Sequence, residues 1–315
     1  MHEPFSSAAR AAARARFPAT LIIASALIGA PALAAHKGGG VSPGWGQCRA
    51  QDPDARIAGC SQVIQGIEKE TPHNKAAAYV NRAGAYQAKG DYAHALDDFG
   101  KALEIEPKSS VVLAARGAAH HAKGDLDSAL ADYDRAIVLD KKNAAALLAR
   151  AHIWRARGDV EKALADLEEA AKADPKATAP LVTAGVLHHA KGDHDRAIGA
   201  FSEAVKRDPK FAAARNGRGA CHYAKGEFDK AIADFDAALK IDAHYVGALV
   251  NRANAWRAKK DFVRAKSDYD AALAVKPDLA AAKKGSDDMA RLIAKQGSGA
   301  SAPADAAPPA EHDHN

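Results

Sequence analysis

Histidine and cysteine are the residues of this 315-residue sequence with the most chemistry to offer, and there are 14 of the first and 3 of the second. The histidines gather as His120-His121, His188-His189 and His222. A metal ion held on one helix needs ligands three or four residues apart, whereas adjacent side chains diverge by about 100°. None of these pairs has that spacing, and His121 and His189 stand two periods of a 34-residue repeat apart. No metal site is therefore expected within the ordered chain. The terminal His312-Asp313-His314 could chelate an ion weakly, the alternative being a solvated end. Catalysis would call for a serine on a nucleophile elbow, a motif of paired carboxylates or a glycine-rich phosphate loop. None is present, so neither an enzyme nor a bound cofactor is expected.

What the cysteines do depends on the compartment. Residues 1–34 have the three parts of a secretory signal: Arg10, Arg14 and Arg16, an apolar core from about Thr20 to Ala30, and Ala32-Leu33-Ala34 ahead of Ala35. The core is well short of the ~20 residues of a spanning helix, and no later segment is long and apolar enough to span. Export with cleavage after Ala34 is expected, with the mature chain in the periplasm or beyond the cell and not integral to a membrane. Thiols tend to pair in such compartments. Cys48 and Cys60 are the natural pair and would staple the N-terminal end at roughly 3 kcal/mol; the alternative is two unpaired thiols. Cys221 shares a repeat column with Ala85, Ala119, Ile153, Leu187 and Ala255, and reads as a small buried apolar residue.

The elements that must position these residues follow from a period of 34. Six units span 76–109, 110–143, 144–177, 178–211, 212–245 and 246–279. The eighth position is small (Ala83, Gly117, Ala151, Gly185, Gly219, Ala253) and the twentieth is always alanine, from Ala95 to Ala265. The twenty-fourth carries Phe99, Tyr133, Leu167, Phe201, Phe235 and Tyr269. Bulky knobs in one column and small holes in others define two packed helices per unit. Between them stand Gly90-Asp91, Gly124-Asp125, Gly158-Asp159, Gly192-Asp193 and Gly226-Glu227, a left-handed stop followed by an acidic start. The last unit has Lys260-Asp261, so its turn is expected to be less comfortable. Proline closes four units at Pro107, Pro175, Pro209 and Pro277.

Charge follows the same period. Arginine at the seventh position and aspartate at the twenty-third accompany each other in five units, suggesting the pairs Arg82-Asp98, Arg116-Asp132, Arg150-Asp166, Arg218-Asp234 and Arg252-Asp268. The fourth unit has lost both members, to Ala184 and Ala200, which is what pairing would produce. The alternative is that the two columns are independently solvated. Setting residues 1–34 aside lowers the formal charge from +5 to +3. No basic tract is interleaved with aromatic residues, so nucleic acid is not an expected partner.

The small-residue, aromatic and proline columns over Ala76 to Pro277 resemble those of the tetratricopeptide repeat family. The resemblance implies an all-α protein in which tandem 34-residue helix-turn-helix repeats form a right-handed α-solenoid superhelix. It also implies caps at both ends, since each repeat buries its apolar face only against neighbours. Residues 48–74 are expected to be a degenerate helical cap after a flexible linker at 35–47. Residues 280–296 should form a capping helix, followed by a disordered tail at 297–315.

In the geometry that the resemblance implies, first helices line a groove with positions 2, 5, 6, 9, 12 and 13. No aspartate or glutamate occurs in those columns. Position 13 is alanine throughout, from Ala88 to Ala258, and position 12 runs Gln87, His121, Arg155, His189, Tyr223, Arg257. Asn81, His152, Asn216, Asn251 and Asn254 add polar contacts. The expected ligand is a protein or peptide segment with an acidic or acceptor-rich face. If the histidines act as cations, its binding should strengthen as the pH falls toward 6. The alternatives are a solvated face on a self-associating structural protein of the envelope, or a weak metal carrier.

Overall fold

The structure is a computed structural model that describes residues 43–299. The expected signal peptide and the tail from 300 onward, with His312 and His314, lie outside the described residues. The chain forms two compact units, one ending at Asp159 and the other beginning at Val160. Apart from one short 3₁₀ turn, the regular structure in both is α-helical.

The first unit contains α1 (Trp45–Cys48), α2 (Pro53–Gln65), the 3₁₀ turn Ile67–Lys69, α3 (Pro72–Ala88), α4 (Tyr92–Ile105), α5 (Ser110–Lys123), α6 (Leu126–Leu139) and α7 (Ala144–Arg157). The second contains α8 (Val160–Ala173), α9 (Ala179–Ala190), α10 (His194–Arg207), α11 (Ala212–Ala224), α12 (Phe228–Ile241), α13 (Val246–Ala258), α14 (Phe262–Val275) and α15 (Ala280–Gly299). Within each unit every helix packs on the next in chain order. First helices of successive repeats also touch: α5 with α7, α9 with α11 and α11 with α13. This is the sequential stacking of an α-solenoid.

The knob-and-hole columns account for that stacking. The twenty-fourth residues are buried in all six repeats, as are the alanines at the twentieth. A Cβ added to Gly117 would stand 2.8 Å from the Tyr133 ring, and one added to Gly219 would stand 2.7 Å from Phe235. Glycine thus lets the second helix lay its ring directly on the first. The helix pairs turn on Gly90, Gly124, Gly158, Gly192 and Gly226, all at positive φ. Asp91, Asp125 and Asp193 then accept the backbone N–H three residues on, capping α4, α6 and α10. Lys260 takes the same left-handed conformation at φ 64°, which costs a side-chain-bearing residue about 1–2 kcal/mol.

The ends differ in detail from expectation. The disulfide Cys48–Cys60 joins α1 to α2. The flexible linker expected over 35–47 is corrected at its end, where Trp45 is buried beside the disulfide and donates from Nε1 to Glu70 Oε1 at 3.1 Å. A buried indole finds a partner, and this one ties down the chain ahead of the staple. At the other end α15 continues to Gly299, beyond the expected boundary at 296, because no proline interrupts it before Pro303.

Candidate functional site

Position 13 is open in every repeat: Ala88, Ala122 and Ala156 in the first unit, and Ala190, Ala224 and Ala258 in the second, are all exposed. Beside them stand Gln87, His121 and Arg155, half-buried, and in the second unit His189 and Tyr223, half-buried, with Arg257 exposed. Each unit therefore presents small side chains bordered by hydrogen-bond donors. Arg257 also lines an open cleft of about 450 Å³ with Asp288, Met289, Arg291 and Leu292 of α15, so the C-terminal helix brings a carboxylate to that end of the face.

The asparagines play a different part. Asn81 and Asn216 are buried, and Asn251 Nδ2 donates to Asn216 Oδ1 at 3.0 Å. Tyr269 donates its hydroxyl to Asn254 Oδ1 at 2.7 Å. Of the set expected to add contacts for a ligand, Asn216, Asn251 and Asn254 engage their amides within and between repeats.

Burial also decides the charge of the histidines. It lowers the pKa of His121 and His189 and takes His152 down to about 4, with the charge of Arg155 and proximity to His121 adding smaller pushes in the same direction. These imidazoles are neutral near neutrality, and His152 remains so well below pH 6. Burial thus works against the cationic histidines from which stronger binding toward pH 6 is expected.

Four of the five arginine–aspartate pairs lie inside one unit, and all four are two-pronged. Arg82 Nε reaches Asp98 Oδ2 at 2.7 Å and its Nη2 reaches Oδ1 at 2.8 Å; Arg116–Asp132, Arg218–Asp234 and Arg252–Asp268 repeat the fork. The hydrogen bonds to aspartate raise the guanidinium pKa in each, against the desolvation that lowers it. The carboxylates are the deeper members: Asp132 has 5% of its side chain exposed, Arg116 24%. Arg150 and Asp166 belong to different units; within its own unit Arg150 bonds Asp134 at 2.6 Å. The remaining guanidinium arm often reaches back one repeat, from Arg218 to Ser202 at 3.2 Å and from Arg252 to Asp236 at 2.6 Å.

Two contacts between repeats escaped the column-by-column reading. Arg157–Asp127, Lys191–Glu161, Lys225–Asp195 and Lys259–Asp229 form a series of rungs, each joining position 14 of one repeat to position 18 of the repeat before. The other brings together His189, His194 and Cys221. A signal for the rungs is present, since position 14 is basic in every repeat and position 18 is acidic in four of the six, whereas the histidine–cysteine corner takes single residues from three columns and leaves none.

Family models described as Tetratricopeptide repeat match residues 76–109, 114–178 and 182–246, together more than half of the chain. The chain belongs to the tetratricopeptide repeat family. No curated protein sequence matches it closely enough to add a nearer relative. Among solved tetratricopeptide structures, YrrB, described as having an unusual peptide-binding site, is 23% identical with a TM-score of 0.52, over 63% of this chain and 97% of its own. The C-terminal part of a repeat protein from Cytophaga hutchinsonii is 16% identical with a TM-score of 0.61, over 74% of this chain and 94% of its own. PilF from Pseudomonas aeruginosa is 18% identical with a TM-score of 0.58, over 68% and 98%. At these identities the likeness establishes the tetratricopeptide fold.

Proposed function

We propose that this tetratricopeptide protein is a non-catalytic scaffold that holds a peptide segment of a partner protein against its first-helix faces. The observation that carries this reading is the exposed alanine column bordered by donors in each unit, with no acidic residue contributed by the first helices. An extended or helical segment with an acceptor-rich face would rest on the alanines and receive hydrogen bonds from Gln87, His121 and Arg155, or from His189, Tyr223 and Arg257. YrrB, a protein of the same fold with a described peptide-binding site, supports the choice of ligand class. The reading extends to location: residues 1–34 act as an export signal, and the Cys48–Cys60 disulfide suits the oxidising compartment that export would reach.

The test is affinity capture from an envelope extract with the mature chain, beside Arg155→Glu and Arg257→Glu variants that retain helical circular dichroism. A partner kept by the parent and released by one variant identifies the protein and the unit that holds it. Equal capture by all three moves binding away from the first-helix faces, and recovery of the chain alone favours self-association.

A further inference from the structure

The fourth and fifth repeats bring three metal-ligating side chains to one corner of the second unit. His189 stands in the last turn of α9, His194 is the first residue of α10 beyond the turn at Gly192, and Cys221 projects from α11. One nitrogen of each ring and the thiol sulfur all lie within 4.8 Å of one another. Cys221 Sγ is 3.3 Å from His189 Nδ1, and the ring centroids are 5.0 Å apart. Zinc bonds of about 2.3 Å to sulfur and 2.0–2.1 Å to nitrogen set donor separations of roughly 3.3–3.6 Å in a tetrahedron. The sulfur–nitrogen pair already stands at that spacing, and a ring nitrogen of the half-buried His194 lies within 4.8 Å of both. His194 Nδ1 is buried and makes no hydrogen bond among the described residues. The register is specific: where this corner has His194 and Cys221, the second and third repeats have Leu126 and Ile153 beside the equivalent His121.

We propose that His189, His194 and Cys221 form a three-ligand binding site for Zn²⁺, with a fourth position open on the half-exposed imidazole side. Both imidazoles bind as neutral ligands. Cys221 binds as thiolate, its proton passing to the solvent as the zinc–sulfur bond forms, with no change of oxidation state. Without the ion, burial pushes the thiol up to about 12 and keeps it protonated and unreactive.

Cobalt(II) serves as the spectroscopic probe, added to the full chain with Cys48–Cys60 oxidised. Cys221 is then the only thiol in the sequence, so a thiolate-to-cobalt charge-transfer band reports it alone, whatever the other histidines bind. The expected result is a band that saturates at one cobalt per chain, is displaced by zinc, and is lost in Cys221→Ala. It should also be lost, or need far more cobalt, in His189→Gln and His194→Leu. All three replacements occur in the same columns of other repeats, as Ala85, Gln87 and Leu126, which keeps the variants compatible with the fold. Absence of the band at saturating cobalt overturns the site, as does a band that His189→Gln and His194→Leu leave unchanged.

Discussion

The second and fourth repeats lie in different units and hold their helices by different chemistry. The second ties α5 to α6 through the Arg116–Asp132 fork and carries a twenty-fourth-position tyrosine. The fourth has Ala184 and Ala200 at the fork positions and Phe201 at the knob. Its polar bonds lie at its borders: Arg207, in a column otherwise aliphatic, donates to the carbonyls of Ala171, Asp174 and Ala177 at 2.9–3.3 Å. Its histidines in turn meet Cys221 of the next repeat. The difference teaches that the helix pair needs only its knobs and holes, and that a fork can be given up while polar groups serve the junctions.

That comparison can be broken most forcefully at the fork. Arg116→Ala strands a nearly buried carboxylate and should cost about 3 kcal/mol, whereas Arg116→Ala/Asp132→Ala, which imitates the fourth repeat, should recover much of the loss. Thermal melts of both variants check this, and a double variant less stable than the single would contradict it. In the fourth repeat, Arg207→Ala removes charged hydrogen bonds at the end of α8 and is expected to cost about 2 kcal/mol in the same assay.

A neutral imidazole in the first unit supplies a pH signature. His152 titrates at about 4 in the fold against 6.5 outside it, so the unfolded chain takes up its proton first as the pH falls. Its contribution is therefore complete above pH 6.5 and is lost progressively on the way down to about 4. His152→Asn, the residue of the equivalent Asn254, should flatten the melting temperature across that window; an unchanged slope would assign the loss to other groups. A smaller effect is expected at the knob, where the buried Tyr133 hydroxyl has no partner among the described residues while Tyr269 bonds Asn254. Tyr133→Phe should be neutral or stabilising, and Tyr269→Phe should cost about 1 kcal/mol. Smallest of all, Ala184→Arg/Ala200→Asp should change stability by no more than about 1 kcal/mol, because desolvation offsets the attraction.

The helical fold was legible because its determinants recur in fixed columns: Ala95 through Ala265, the rings from Phe99 to Tyr269, the turn glycines. The Arg116–Asp132 fork could be inferred for the same reason, since both members vanish together in the fourth repeat. Burial was not legible. His152, Asn216 and Asn254 look like groove donors by position, yet burial desolvates the first, Asn251 of the next repeat bonds the second, and Tyr269 of its own repeat bonds the third. The corner of His189, His194 and Cys221 draws one residue from each of three columns, so no single column announces it. Trp45 gave no periodic signal because the N-terminal cap repeats nothing.

The rungs from Lys191 to Glu161, Lys225 to Asp195 and Lys259 to Asp229 each span 30 residues, less than one period. A chain whose cross-links are this short closes only small loops as it gains structure, so the entropy cost of each step is modest and rapid folding is favoured. Stability can grow one helix pair at a time from any completed neighbour, and loss of order runs inward from an end in the same way. With a covalent bond across its N-terminal cap, this array should fray preferentially from α15.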